Sequence, residues 1–310
     1  MLKSLQLQAD MLQEFGACVF DVTLDCEDGA PVGAEIDQAQ RVAEMALAAV
    51  AASPASRVGV RVHAIDHAAF ASDVQIILGS ASSALSFLML PKAESVHDVE
   101  RAVAAIDAAC TTRSQPLPLH VLIESPTAVH RAFEIAAHPR VESLSFGVMD
   151  FVSAHAGAIP ASAMGVRASD DTHTLDQFHH PLVLRAKLAI ASACHAFGKV
   201  PSHCVVPEFR DAVKLEKVAR VAANALGYTR MWSIHPDQIR PILRAFTPAQ
   251  QEIETAATIL ELAEMQDWAP ISVQGTLHDR ASYRYFWQVI ARAHRTGCAL
   301  PASVQKYFLN

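Results

Sequence analysis

The sequence predicts an α/β protein built as a (β/α)₈ TIM-type barrel, and three observations point there. Short apolar or β-branched runs alternate with longer stretches of helical periodicity, the pattern of βα units around a parallel sheet. Polar and charged clusters fall just beyond the carboxyl ends of those runs, where barrel enzymes gather their chemistry. The chain of 310 residues is long enough for one large core, with or without a small appendage.

The strand candidates are Val19–Leu24, Val58–His63, Phe87–Leu90, His120–Ile123, Ser143–Phe146, His203–Val206 and Met231–Ile234. Leu5, Leu12 and Phe15 give the segment 2–15 the spacing of a helix rather than a strand. Several helix starts are marked by their own caps. Ser95 with Asp98 three residues on forms a capping-box pattern ahead of Val99, Val103 and Ile106. Ser125-Pro126 puts a cap and a first-turn proline directly after a strand, and Thr247-Pro248 repeats that device. Asp211 caps a helix that stops at Gly227. Residues 157–180, with Asp170, Asp171 and three histidines (His173, His179, His180), read as a long loop or lid. Beyond Pro236 the pattern is helical only, with residues 270–280 as a loop. The chain therefore divides into a catalytic barrel at 1–240 and a C-terminal helical extension or lid at 241–310.

Composition narrows the function. Hydrophobic residues make up 51% and charged residues 18%, the balance of a globular core. A net charge of −7 and the lack of any basic run argue against nucleic acid as a partner. No stretch approaches the ~20 apolar residues that cross a bilayer, and the amino terminus lacks the apolar segment of a signal peptide. The six cysteines are scattered without CxxC spacing, which suggests reduced thiols in the cytoplasm.

The polar clusters supply the candidate site. Asp25, Glu27 and Asp28 follow the first run, Arg61 sits in the second, and Lys92 follows the third. Glu124 follows the fourth, Asp150 lies beyond the fifth, and His235 follows the last. Carboxylates from different strands can hold Mg²⁺ while leaving room for substrate oxygens and water. Arg61 can clamp a carboxylate or polarise a carbonyl. Each residue also has a plainer reading: carboxylates after strands cap helices, and Arg61 can pair structurally with Asp25 or Asp28. His173, His179 and His180 read as loop histidines. The order of the clusters favours one shared site.

The motifs resemble the citrate lyase β-subunit-like proteins of the HpcH/HpaI aldolase superfamily. The resemblance is carried by residues 20–30, Phe-Asp-Val-Thr-Leu-Asp-Cys-Glu-Asp-Gly-Ala, and by Val60-Arg61-Val62, Leu90-Pro91-Lys92-Ala93-Glu94, Ile123-Glu124-Ser125-Pro126, Phe146-Gly147-Val148-Met149-Asp150 and Ile234-His235-Pro236-Asp237-Gln238. It spans nearly the whole chain in the family's order. The resemblance implies Mg²⁺ on Glu124 and Asp150, with Arg61, Lys92, Met149 and Asp150 at the substrate. Glu27 and Asp28 would orient the metal's waters and Arg61.

The implied reaction cleaves or forms a 3-hydroxyacyl-CoA, such as malyl-CoA or citramalyl-CoA, with a 2-oxo acid (glyoxylate or pyruvate) and an acyl-CoA as the other side. The implied assembly is a homo-oligomer, a homotrimer or hexamer, whose C-terminal segment closes over a neighbour's site. Gln274-Gly275-Thr276-Leu277-His278-Asp279 resembles the element that brings the acid/base there, which makes Asp279 the candidate, with Arg61 as its catalytic partner. His278 replaces an apolar residue of that element. A CoA-independent 2-oxo-acid aldolase, a malyl-CoA thioesterase and a non-catalytic barrel subunit are the alternatives. The family's first strand is missing here or atypical, and Ser202-His203 departs from the Ile-Asp found in relatives.

Overall fold

The computed structural model describes residues 1–29, 32–110, 113–168 and 170–308. Ala30, the last residue of the first motif, and Ser169, within the long loop, lie outside the described residues.

The chain opens with α1 (Leu2–Phe15) and then runs through repeated βα units. These are β1 (Val22–Asp25), α2 (Glu35–Ala52), β2 (Val58–Arg61), α3 (Phe70–Ala81), β3 (Phe87–Leu90) and α4 (Val96–Ala109). Next come β4 (Leu119–Ile123), α5 (Pro126–His130), α6 (Ala132–Ala137), β5 (Val141–Phe146), α7 (Val148–Ser153), α8 (Pro181–Ala196), β6 (Val200–His203), α9 (Ala212–Ala225), β7 (Arg230–Met231) and α10 (Ile239–Phe246). The strands form one seven-stranded sheet in sequential order, and every neighbouring pair is parallel. Helices pack along it, so β3 and β4 are buried at every position.

The sheet is curled into a half-barrel, and contacts between its outer strands show this. Arg230 of β7 pairs with Asp21, just ahead of β1, and Trp232 beyond β7 lies over the Arg61 guanidinium at the end of β2, 5.9 Å from it. Among the described residues β1 and β7 share no backbone ladder, so the expected eight-stranded closure is not made by main-chain hydrogen bonds. Gln8 of α1, almost fully buried, donates from its side chain to the carbonyls of Phe20 and Arg57 at 2.8 and 3.0 Å and seats the helix beneath β1 and β2.

The local signals hold at several helix starts. Ser95 Oγ accepts from the Asp98 amide, Ser125 Oγ from the Ala128 amide, and Asp211 Oδ1 from the Lys214 amide. Thr247 does not start a helix: its hydroxyl donates to the Leu243 carbonyl and ends α10, and α11 begins at Gln250. The sixth strand lies three residues earlier than expected, at Val200–His203. Pro201 stands inside it, and its carbonyl still accepts from Thr229 at 3.2 Å. His180, expected among the solvated loop histidines, is buried at the start of α8, while His179 pairs with Asp176 at 2.6 Å.

Beyond α10 come α11 (Gln250–Met265), β8 (Ile271–Val273), β9 (Thr276–His278), α12 (Arg280–Arg295) and α13 (Ala302–Gln305). The expected loop at 270–280 is an antiparallel hairpin. Gln274 and Gly275 at its tip both have positive φ, 49° and 80°, as a tight hairpin turn requires. Ile253, Leu260, Tyr283, Val289 and Ile290 give these elements a core of their own. No helix among the described residues is long and apolar enough to cross a membrane.

Candidate active site

The carboxyl ends of β1 to β5 converge on one charged cluster. Arg61 ends β2 and is held on its side edge by Asp25, the last residue of β1, with Nε and Nη2 donating to its two carboxylate oxygens at 2.7 Å each. The register places Asp25 directly opposite Arg61, so the pair follows from strand alignment. Arg61 Nη1 reaches Glu27 at 2.8 Å, and Nη2 also reaches Asp28 at 3.0 Å. Burial alone would lower the Arg61 pKa, but these three carboxylates outweigh it and raise it further.

Lys92, after β3, closes the other side of Glu27 with Nζ 2.8 Å from Oε1. That bond to Glu27 raises the Lys92 pKa, with Asp150 and Glu124 adding to the effect. Lys92 has φ of 52°, an uncommon conformation for a residue with a side chain. Such strain collects at functional sites because the surroundings over-determine the backbone there.

Glu124 follows β4 and is 5% exposed. Its carboxylate makes no hydrogen bond or ion pair with the described residues. Burial, followed by the negative charges of Glu27 and Asp150, pushes its pKa up to about 8 against the weaker pull of Lys92 and Arg61. Gly147 makes this position possible. A Cβ on Gly147 would lie 2.6 Å from Glu124 Cγ, so any side chain there would displace the carboxyl. The Gly147 amide is fixed on the Ile123 carbonyl at 3.0 Å, which holds the close approach in place. Asp150 lies in the first turn of α7, and Met149 beside it is exposed.

Glu124, Asp150, Glu27, Lys92 and Arg61 therefore share one electrostatic neighbourhood. The donor set is hard oxygen, and two of its carboxylates lack a cationic partner. A small divalent cation fits those oxygens and would relieve their mutual repulsion. Among the described residues no three His, Cys, Asp or Glu side chains are already gathered around one point. An ion held by one or two carboxylates keeps coordination positions for water and substrate.

Asp279 is placed elsewhere in the chain's own fold. It caps α12, accepting from the amides of Ala281 and Ser282 at 2.9 and 3.3 Å, and it is exposed. Within this chain, no hydrogen bond or ion pair joins it to the cluster among the described residues. Trp232 was not singled out by sequence reasoning, since it sits inside a run read as strand. Its only signal is adjacency to the Ile-His-Pro element.

The family model of HpcH/HpaI aldolase/citrate lyase matches residues 2–236. The chain belongs to this family. A citrate lyase crystal structure from Burkholderia xenovorans LB400 is 48% identical with a TM-score of 0.81, covering 99% of this chain and 92% of that one. The L-malyl-CoA/beta-methylmalyl-CoA lyase of Cereibacter sphaeroides strain ATCC 17029 is 29% identical over 76% of this chain and 75% of the relative. The citrate lyase beta subunit of Mycobacterium tuberculosis, in complex with oxaloacetate and magnesium, is 27% identical with a TM-score of 0.58, covering 77% and 94% of the two chains.

Proposed function

We propose that this family member is a Mg²⁺-dependent carbon–carbon lyase that cleaves or forms a 3-hydroxyacyl-CoA, such as malyl-CoA or citramalyl-CoA. Its products in the cleavage direction are a 2-oxo acid (glyoxylate or pyruvate) and an acyl-CoA. The observation that carries the reading is Glu124: a buried carboxylate without a partner, facing Asp150 and Glu27, with Arg61 and Lys92 on the same cluster. Lyases among the relatives, and the magnesium and oxo acid in the mycobacterial complex, support it.

Glu124 and Asp150 would hold the ion. When bound, Mg²⁺ supplies Lewis-acid polarisation of the oxo-acid carbonyl. Arg61 grips the oxo-acid carboxylate and steadies negative charge that develops on the neighbouring oxygen. Glu27 keeps both Arg61 and Lys92 in place through its two carboxylate oxygens. Met149 lines the substrate side of Asp150. Asp279, on an exposed helix cap, reaches the site of a neighbouring copy in a homo-oligomer and exchanges the proton at the thioester α-carbon. That role requires a homo-oligomer, and a trimer-based assembly in the cytoplasm is the setting we propose for it.

Purified protein given glyoxylate or pyruvate with acetyl- or propionyl-CoA and Mg²⁺ should form a hydroxyacyl-CoA in one of the four pairings. Glu124→Gln and Asp150→Asn should lose both Mg²⁺ affinity and turnover. Unchanged metal titration and turnover in both variants would sink the assignment.

A further inference from the structure

We infer that Asp28 is an internal competitor for the substrate's carboxylate: it occupies the edge of Arg61 that a 2-oxo acid must take, and it leaves when the acid binds. This rests on the reading of Arg61 as the carboxylate clamp. A guanidinium has five N–H donors and two edges that can grip a carboxylate with two prongs. In Arg61 the Nε/Nη2 edge is filled by Asp25 at 2.7 Å on both prongs. Nη1 forms an ion pair with Glu27 at 2.8 Å, and the second Nη2 hydrogen goes to Asp28 at 3.0 Å. Three of the five N–H groups are hydrogen-bonded among the described residues, and the two on Nη1 are left with only the Glu27 ion pair beside them. The ring of Trp232 lies against the guanidinium face. A second two-pronged grip is therefore open only on the Nη1/Nη2 edge, and Asp28 holds half of it.

The three carboxylates are not equally easy to dislodge. Asp25 is 26% exposed and doubly bonded to Arg61, and it also accepts from the Glu27 amide at 3.1 Å. Glu27 is 8% exposed and carries Lys92 on its other oxygen. Asp28 is 75% exposed and bonds nothing else among the described residues. Water can take over its solvation, so only Asp28 gives up Arg61 at little cost. A Cβ on Gly29 would lie 2.5 Å from the Asp25 carbonyl oxygen, so the turn under Asp28 is tight and release comes by side-chain rotation.

The contact also sharpens selection. A ligand bearing a carboxylate replaces what it displaces, whereas a neutral aldehyde or ketone would leave Arg61 short of a partner. Asp28 is then a specificity residue for acids over neutral carbonyl compounds.

The test uses the full chain with Mg²⁺ and pyruvate. A crystal structure of the complex should show the pyruvate carboxylate on Arg61 Nη1 and Nη2, with the Asp28 contact broken. Calorimetry should show Asp28→Ala binding pyruvate several-fold tighter than the unaltered protein. Pyruvate on Arg61 with the Asp28 contact intact, or equal or weaker binding by the variant, would overturn the inference. If pyruvate instead binds away from Arg61, and Arg61→Ala retains its affinity, the clamp reading itself fails.

Discussion

Asp21 and Arg230, 209 residues apart in the chain, form a side-chain ion pair that joins the two outer strands of the sheet. Arg57 holds the other oxygen of Asp21 at 2.8 Å. Burial is the largest influence on Asp21 and would raise its pKa, but Arg230 and Arg57 together outweigh it and hold the carboxyl below its usual range. Arg230→Met should cost about 1–3 kcal/mol, as expected when one member of a largely buried pair is removed. A depressed acid stabilises above its unfolded pKa and loses that contribution as pH falls through the folded one. The variant should therefore differ most from the parent at neutral pH and least in acid. Urea titrations at both pH values check this.

Glu124 gives the opposite sign. Its pKa, raised to about 8, means that the folded metal-free protein keeps a proton that the unfolded chain has already released. Stability of the metal-free protein should fall as pH rises from the ordinary carboxylate range to about 8. Glu124→Gln should flatten this fall, in melts recorded in EDTA. A parent curve that rises across that window would contradict the electrostatics.

Gly147→Ala should fold and still damage the site. The added methyl meets Glu124 at its Cγ, and the backbone amide on Ile123 prevents an easy retreat. We expect about tenfold or greater weakening of Mg²⁺ binding, the scale seen when a group that orients a ligand is disturbed. Circular dichroism should show an unchanged fold, and metal titration should show the loss.

The in-trans role of Asp279 predicts complementation. Asp279→Ala and Arg61→Ala should each be inactive alone, and a refolded mixture should recover part of the activity through mixed oligomers. A mixture as inactive as its components, in assemblies shown by mass spectrometry to be mixed, would remove the role.

Much of this organisation was legible from local chemistry. Strands rich in apolar residues, the caps at Ser95, Ser125 and Asp211, and the polar clusters after most of the strands all follow from neighbours in sequence. The sixth strand was misplaced because Cys204-Val205-Val206 looks more strand-like than Val200-Pro201-Ser202-His203. Parallel pairing overrode that preference and left His203 buried. Thr247 carried a cap signal, but the end of α10 claimed its hydroxyl. The hairpin tip at Gln274-Gly275 was hidden because Gln is uncommon at positive φ. In the site, both readings of Arg61 met: it is the candidate clamp, and it is also paired with Asp25 and Asp28. No spacing rule could have found Trp232 over that guanidinium, because the contact depends on the curl of the whole sheet.

Lys92 has a consequence for engineering. Its left-handed backbone makes position 92 an inviting target for stabilisation, because glycine adopts φ of 52° without penalty. A selection for heat resistance alone would favour Lys92→Gly and discard the ammonium that keeps Glu27 turned toward the cluster. Thermal hardiness and chemistry are set against each other at this residue, so a library meant to harden the protein should leave it untouched.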